Sequence, residues 1–205
     1  MITAWDQFFE DKVRHILTSC HTVIDIGGGL RVLRDRGNRY DPGREWIRPL
    51  LERVEYKIID PVQDYQPDLV GDIHQLPFQD NTIEAIICLA ILEHVENPWL
   101  ASREMHRVLK SGGMCLVYVP FLYYYHAEKG YYHDYWRFTK DAFNLLFKDF
   151  SYKETCPVRG AVETWMHISP LGKFTAMRLI ARLADRVFRK QASNQVSGYY
   201  VFLRK

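Results

Sequence analysis

The chain has 205 residues, 47% of them hydrophobic and 25% charged, with a net charge of +2. That length supports one full core and argues for a single domain spanning 1–205; the small net charge removes any generic attraction to nucleic acid, and no apolar run approaches the ~20 residues of a membrane span. Cys20, Cys88, Cys115 and Cys156 show no C-x-x-C spacing, so they read as reduced thiols of a cytoplasmic protein, and no metal site is expected.

Met1 to Phe9 lacks the basic-then-apolar order of a signal peptide. From Trp5 to Leu17, apolar residues recur at helical spacing, which predicts a helix lying against a sheet. Val23 to Ile26 reads as a first strand, Arg44 to Glu55 as a helix, and Tyr56 to Ile59 as a second strand. Leu69-Val70 makes a short third strand and Ile83 to Leu89 a fourth. Glu93 to Leu109 reads as a helix broken near Pro98 and stopped by Ser111-Gly112-Gly113. Met114 to Val119 follows as a fifth strand, while Tyr152 to Pro157 and Tyr199 to Leu203 read as a closing strand pair. There is no internal repeat and no low-complexity linker.

The strongest functional signal is Thr22-Val23-Ile24-Asp25-Ile26-Gly27-Gly28-Gly29, a buried strand that ends in an acid and opens into a glycine loop. Glycines there permit a tight turn and the close approach of a ligand. Two more acids end later apolar runs, Asp60 in Tyr56-Lys57-Ile58-Ile59-Asp60 and Asp72 in Gly71-Asp72-Ile73. In an open parallel sheet, strand carboxyl ends line one crevice, so the three acids converge. Each of them could instead cap a turn or helix. A dinucleotide fits poorly: Gly27 and Gly29 match G-x-G-x-x-G, but the third position is Val32, and the polar, turn-rich Arg34 to Gly43 replaces a helix.

These runs, with Gly71-Asp72-Ile73-His74-Gln75-Leu76-Pro77-Phe78, Ala90-Ile91-Leu92-Glu93-His94-Val95 and Met105-His106-Arg107-Val108-Leu109-Lys110-Ser111-Gly112-Gly113, resemble in content and order the motifs of class I S-adenosylmethionine-dependent methyltransferases, closest to the methyltransferase type 11 group. The resemblance spans Thr22 to Val119. It implies an α/β fold, a three-layer Rossmann-like sandwich with a mostly parallel seven-stranded sheet and an antiparallel closing strand. It also implies S-adenosylmethionine as cofactor, yielding S-adenosylhomocysteine. Asp25, Gly27, Gly28 and Gly29 would line the methionyl part, Asp60 with Pro61 the ribose, Asp72 and Ile73 the adenine, and Leu89 and Ala90 the sulfonium. Asp60 follows Asp25 at more than the roughly 20 residues one such unit usually needs, so residues 31–46 read as an insertion.

Past the fifth strand, residues 121–140 are rich in aromatics and read as a lid, with Tyr125, Tyr131, Tyr135, Trp136 and Arg137 over the acceptor. His133, Asp134 or His126 could take a proton from it. Against this stands a purely structural cluster of His133, Asp134 and Arg137 that holds the lid. His94 reads as structural, tying the fourth-strand turn. The arginines of the insertion could grip an acidic acceptor or stay solvated. Residues 173–190 form an added basic amphipathic helix, which either covers the sheet with its arginines wet or makes peripheral membrane contact.

The expectation is thus a methyltransferase acting on a small-molecule or carrier-linked acceptor, with most of the rate from alignment. A non-catalytic cofactor binder that docks through the 173–190 helix is the alternative, and a nicotinamide dehydrogenase comes third. The acceptor atom and the oligomeric state are not legible.

Overall fold

The computed structural model describes residues 2–34, 40–191 and 193–205. Helix α1 (Ala4–Ser19) starts at Thr3, whose side chain accepts the Asp6 N–H while the Asp6 carboxylate accepts the Thr3 N–H, a reciprocal cap. Strand β1 (Thr22–Ile26) leads into the glycine loop and β2 (Glu55–Asp60) follows. Between them the expected helix over 44–55 is mostly absent: a 3₁₀ segment (Pro42–Ile47) and the one-turn α2 (Arg48–Leu51) take its place. Pro42, Gly43 and Pro49 explain this, because they favour turns and helix starts over helix interiors. The expected insertion at 31–46 falls partly outside the described residues.

Strands β3 (Leu69–Val70) and β4 (Ile83–Leu89) lie where the apolar runs predict them. Helix α3 (Pro98–Val108) starts five residues later than Glu93. Asn97 sets that start by accepting the Leu100 N–H, and Pro98, which has no N–H to lose, suits the first turn. No glycine stop closes α3. Its cap is Leu109, where β5 (Leu109–Pro120) already begins, and Gly112, at φ +75°, falls in the irregular stretch between the Ile83–Leu109 and Ala85–Met114 pairings.

The chain continues through α4 (Ala142–Leu146), β6 (Tyr152–Val158), α5 (Ala161–Ile168), α6 (Thr175–Val187) and β7 (Gly198–Arg204). The seven strands are ordered β3-β2-β1-β4-β5-β7-β6. β1 to β5 pair in parallel, and β7 runs antiparallel to both β5 and β6. Alternating side chains feed two cores: Ala85 and Ile87 pack with Phe9, Val13, Ile16 and Leu17 of α1, while Ile86 and Cys88 pack with Ala101, Met105 and Val108 of α3. This is the expected three-layer α/β sandwich.

Helix α6 overturns the reading in which it covers the sheet. Its buried residues are Ala181 and Asp185, while Leu179, Ile180, Leu183 and Val187 are exposed. The inward contacts are polar: Asp185 accepts the Val162 and Glu163 N–H groups at the start of α5, and Arg182 pairs with the buried Glu163 at 2.6 Å.

Candidate functional site

The strand order reverses beside β1, which runs between β2 and β4, so the crevice beyond its carboxyl end is where a ligand belongs. Gly27 and Gly28 take φ values of +77° and +61° there, a region that L side chains rarely adopt. Gly29 needs its small size for space, since a Cβ would lie 2.7 Å from Leu89 Cβ and 3.0 Å from the Leu89 carbonyl oxygen.

Asp25 shapes this loop from beneath. It is fully buried, and its carboxylate accepts the Gly29 N–H (2.9 Å), the Leu30 N–H (3.0 Å) and the Tyr56 hydroxyl (2.5 Å). Burial pushes its pKa up to about 6 against the pull of these donors. Arg44 closes the loop from the other side by donating to the Gly29 carbonyl, with its guanidinium 4.7 Å from the Phe9 ring centroid. This arginine of the insertion neither grips an acceptor nor stays solvated. Tyr56 and Arg44 escaped the sequence reading because nothing local ties either of them to the loop.

Asp60, at the end of β2, turns toward the same loop. Its Oδ1 accepts the Val62 N–H, and its Oδ2 lies 3.9 Å from where a Gly27 Cβ would stand. Burial raises its pKa, as suits a carboxylate lining a partly dry crevice. Pro61 is exposed beside it. Asp72 is mostly exposed and accepts the His74 N–H and ring Nδ1, while Ile73 turns its side chain into the core. Leu89 supports Gly29. Ala90, at φ +58°, donates its N–H to the Tyr118 carbonyl and starts the turn after β4, and Ile91 reaches over Gly27.

The aromatic segment after β5 crosses this crevice. It leaves β5 at Pro120, returns to it where the Phe138 N–H donates to the Pro120 carbonyl, and in between is stitched to the loops beyond β2 and β4. The Glu93 carbonyl accepts the Tyr135 and Trp136 N–H groups, Trp136 Nε1 donates to the Val95 carbonyl, and Tyr131 stacks on Tyr65 at 5.4 Å between ring centroids. Tyr65 belongs to the turn after β2, so a segment that starts at β5 and touches it must pass over the ends of β4 and β1. Tyr125 stays exposed.

Within this segment the three expected proton acceptors separate. The Asp134 side chain is fully buried, binds Arg137 at 2.6 and 2.8 Å and accepts the His126 N–H. The guanidinium beside it holds its pKa down to about 2, so the expectation of a proton-accepting Asp134 is corrected: it is the latch of the segment. His133 is exposed, with its ring against Tyr135 and its carbonyl accepting from His94 Nδ1 at 2.6 Å, so the cluster expected of His133, Asp134 and Arg137 does not include its ring. His126 turns inward, 4.7 Å from the His94 ring, and Glu93 beside it raises its pKa. Glu93 itself, 1% exposed, was not foreseen.

A family model described as a methyltransferase domain matches residues 49–117. An uncharacterized methyltransferase of Mycobacteroides abscessus is 32% identical over 47% of this chain and 38% of its own length. A protein of Desulfotalea psychrophila named ubiquinone/menaquinone biosynthesis C-methyltransferase UbiE is 31% identical over 46% of this chain and 39% of its own. This chain thus spans about two fifths of the length of those relatives. Among solved structures, a SAM-dependent methyltransferase from Archaeoglobus fulgidus superposes with a TM-score of 0.60 over 97% of this chain and 94% of that one, at 12% identity, a likeness of fold.

Proposed function

We propose that this chain is a class I S-adenosylmethionine-dependent methyltransferase, as its likeness to a methyltransferase-domain model and to methyltransferase relatives supports, and that it moves the methyl group of S-adenosylmethionine to a small or carrier-linked acceptor held beneath its aromatic segment. The observation that carries this reading is the meeting of Gly27, Asp60 and Ala90 at the ends of three neighbouring parallel strands, under a segment that crosses them.

The residues present fit the cofactor, because a Cβ at Gly27 or Gly29 would fill the cradle and Asp60 keeps an oxygen on its Gly27 side. Gly27, Gly28 and Gly29 would hold the methionyl part, Asp60 the ribose, the Asp72-Ile73 turn the adenine, and Leu89 and Ala90 the sulfonium side. Asp25 positions the glycines without touching the ligand. When bound, the cofactor supplies an electrophilic methyl group. The chain's own residues supply alignment and a dry site: Arg137 and Asp134 fix the lid, Trp136 ties it to the β4 turn, and Tyr131 with Tyr65 roofs the ribose end. His126, held by the Asp134 and Tyr124 side of the lid, is the histidine placed to take an acceptor proton.

The test is calorimetric binding of S-adenosylmethionine to the purified chain, followed by assay of S-adenosylhomocysteine over phenol, amine and carrier-linked acceptors. Micromolar binding with turnover on one class supports the reading; no binding sinks it.

The helix pair beside the lid suggests where the acceptor is met. His167 of α5 rests against Tyr123, at 5.6 Å between ring centroids, and α6 turns Leu179, Ile180, Leu183 and Val187 outward, with Trp165 and Phe174 also exposed. Arg186 on α6, Lys173 just before it and Arg189 and Lys190 just after it are exposed as well. An apolar stripe flanked by cations suits an anionic lipid surface, and we infer that the chain docks there as a peripheral protein. No described helix is long and apolar enough to cross a membrane. Cosedimentation with phosphatidylglycerol vesicles, but not with phosphatidylcholine vesicles, is expected, and Leu183→Glu should abolish it; equal binding to both vesicles, or none, would reject lipid docking.

A further inference from the structure

Glu93 is a buried acid without a counterion in hydrogen-bond reach. It is 1% exposed, and among the described residues its Oε2 has no hydrogen-bond partner. A carboxylate left so is costly, and such groups are ordinarily paired or bound to a metal. What faces it is a pair of imidazoles: His94 Nε2 and His126 Nε2 each lie 3.8 Å from Glu93 Oε1, too far for a hydrogen bond.

Both rings are held through their other nitrogen. His94 Nδ1 meets the His133 carbonyl at 2.6 Å, and His126 Nδ1 lies 3.1 Å from the Tyr124 carbonyl and 3.2 Å from Asp134 Oδ2. With Nδ1–H donated, the lone pair of each neutral ring is on Nε2. This outer support is what fixes histidine ligands in metal proteins.

We propose that Glu93, His94 and His126 form a binding site for a divalent transition-metal ion, through one carboxylate oxygen and the two Nε2 atoms. The three donor atoms lie within 4.8 Å of one another. Metal bonds of about 2.0–2.2 Å put donors roughly 3–3.5 Å apart, so each histidine must close on Glu93 by less than about 1 Å and the widest pair by up to about 2 Å to complete the set. Two imidazoles and a carboxylate suit first-row ions such as zinc, cobalt or iron(II), and three protein ligands leave positions open for a substrate.

The open positions have a use that rests on the methyl-transfer reading. Glu93 lies three residues past Ala90, and its own carbonyl anchors the lid. With the ion bound, His126 Nε2 is a ligand and no longer a base, and an acceptor hydroxyl on the ion would instead lose its proton to water more readily. Its oxygen lone pair then bonds to the methyl carbon while the carbon–sulfur pair returns to sulfur, giving a methyl ether and S-adenosylhomocysteine.

The test uses the tag-free chain, stripped with chelator and titrated with cobalt(II), read by calorimetry and by the visible d–d absorption. One equivalent should bind, with the absorption of an imidazole-ligated ion. His94→Gln and His126→Gln should each weaken binding at least tenfold, whereas His15→Gln, on α1 outside the cluster, should not. Far-ultraviolet circular dichroism and S-adenosylmethionine affinity, expected within about threefold of the parent, show that the variants are folded. No binding at one equivalent, or binding indifferent to His94 and His126, overturns the site. Failure of the methyltransferase reading would appear separately, as absent S-adenosylmethionine binding by a chain that still takes up cobalt.

Discussion

Asp134 and Arg137 meet as a bidentate ion pair, at 2.6 and 2.8 Å, with the carboxylate shut away from solvent. The same guanidinium donates to the Tyr124 and Trp136 carbonyls, so one side chain gathers both limbs of the lid. Removing one partner of a buried pair costs about 3–5 kcal/mol, and somewhat less here because Arg137 is partly exposed. Arg137→Ala should therefore lower thermal stability and cut turnover by at least tenfold, while the affinity for S-adenosylmethionine stays within about threefold. A parallel loss of affinity and turnover would move the pair from the lid to the cofactor site.

Asp60→Ala should weaken S-adenosylmethionine binding by at least tenfold, since a carboxylate accepting ribose hydroxyls contributes about 1.5–3 kcal/mol. Calorimetry reads this directly. Unchanged affinity would place the ribose elsewhere.

Gly160 precedes α5, and a Cβ there would stand 2.3 Å from Asp185 Cγ. Its φ of −86° is ordinary, so the constraint is space alone. Gly160→Ala should push Asp185 off the α5 amino terminus and cost about 1–3 kcal/mol in denaturant unfolding. Limited proteolysis between α5 and α6 should quicken in the same variant. A parent-like midpoint and cleavage rate would mean that the helix pair does not depend on this contact.

Glu84 ties the start of β1 to β4 and β5: it pairs with Lys110 at 2.8 Å and accepts the His21 N–H at 2.6 Å. These partners, Lys110 foremost, hold its pKa down to about 2 from 4.5. A carboxylate with a depressed folded-state pKa stabilises the fold above its unfolded value, and that contribution drains away as pH falls from about 4.5 toward 2. Glu84→Gln should lower the melting temperature at pH 7 and flatten its decline across that acid window. Parallel melting curves for parent and variant from pH 5 to 3 would show the group to be indifferent.

The sheet, the glycine loop and the acids at strand ends were legible because each is a local pattern: Asp25 directly precedes Ile26 and Gly27, and β4 is apolar from Ala85 to Leu89. The contacts that shape the site were not. Tyr56 reaches Asp25 across 31 residues and His94 reaches the His133 carbonyl across 39, distances over which a sequence carries no periodicity. For α6 the spacing correctly gave an amphipathic helix but could not say which face turns inward. Asp185 and Arg182 decided that, because the exposed α5 amino terminus and the buried Glu163 demanded polar partners. For Asp134 the sequence left two readings open, a proton acceptor or a fixed cluster with Arg137, and Arg137, three residues on, takes both of its oxygens.

The placement of β7 bears on how the chain is made. It is the last strand in sequence, yet it lies between β5 and β6 and pairs with both over seven positions each. During synthesis, β5 and β6 emerge with bare edges and cannot join each other until residues 198–204 arrive. Such late, long-range pairing is slow and leaves unpaired strands open to association with other chains. Ribosome-bound intermediates lacking this strand are therefore the species on which a chaperone would act.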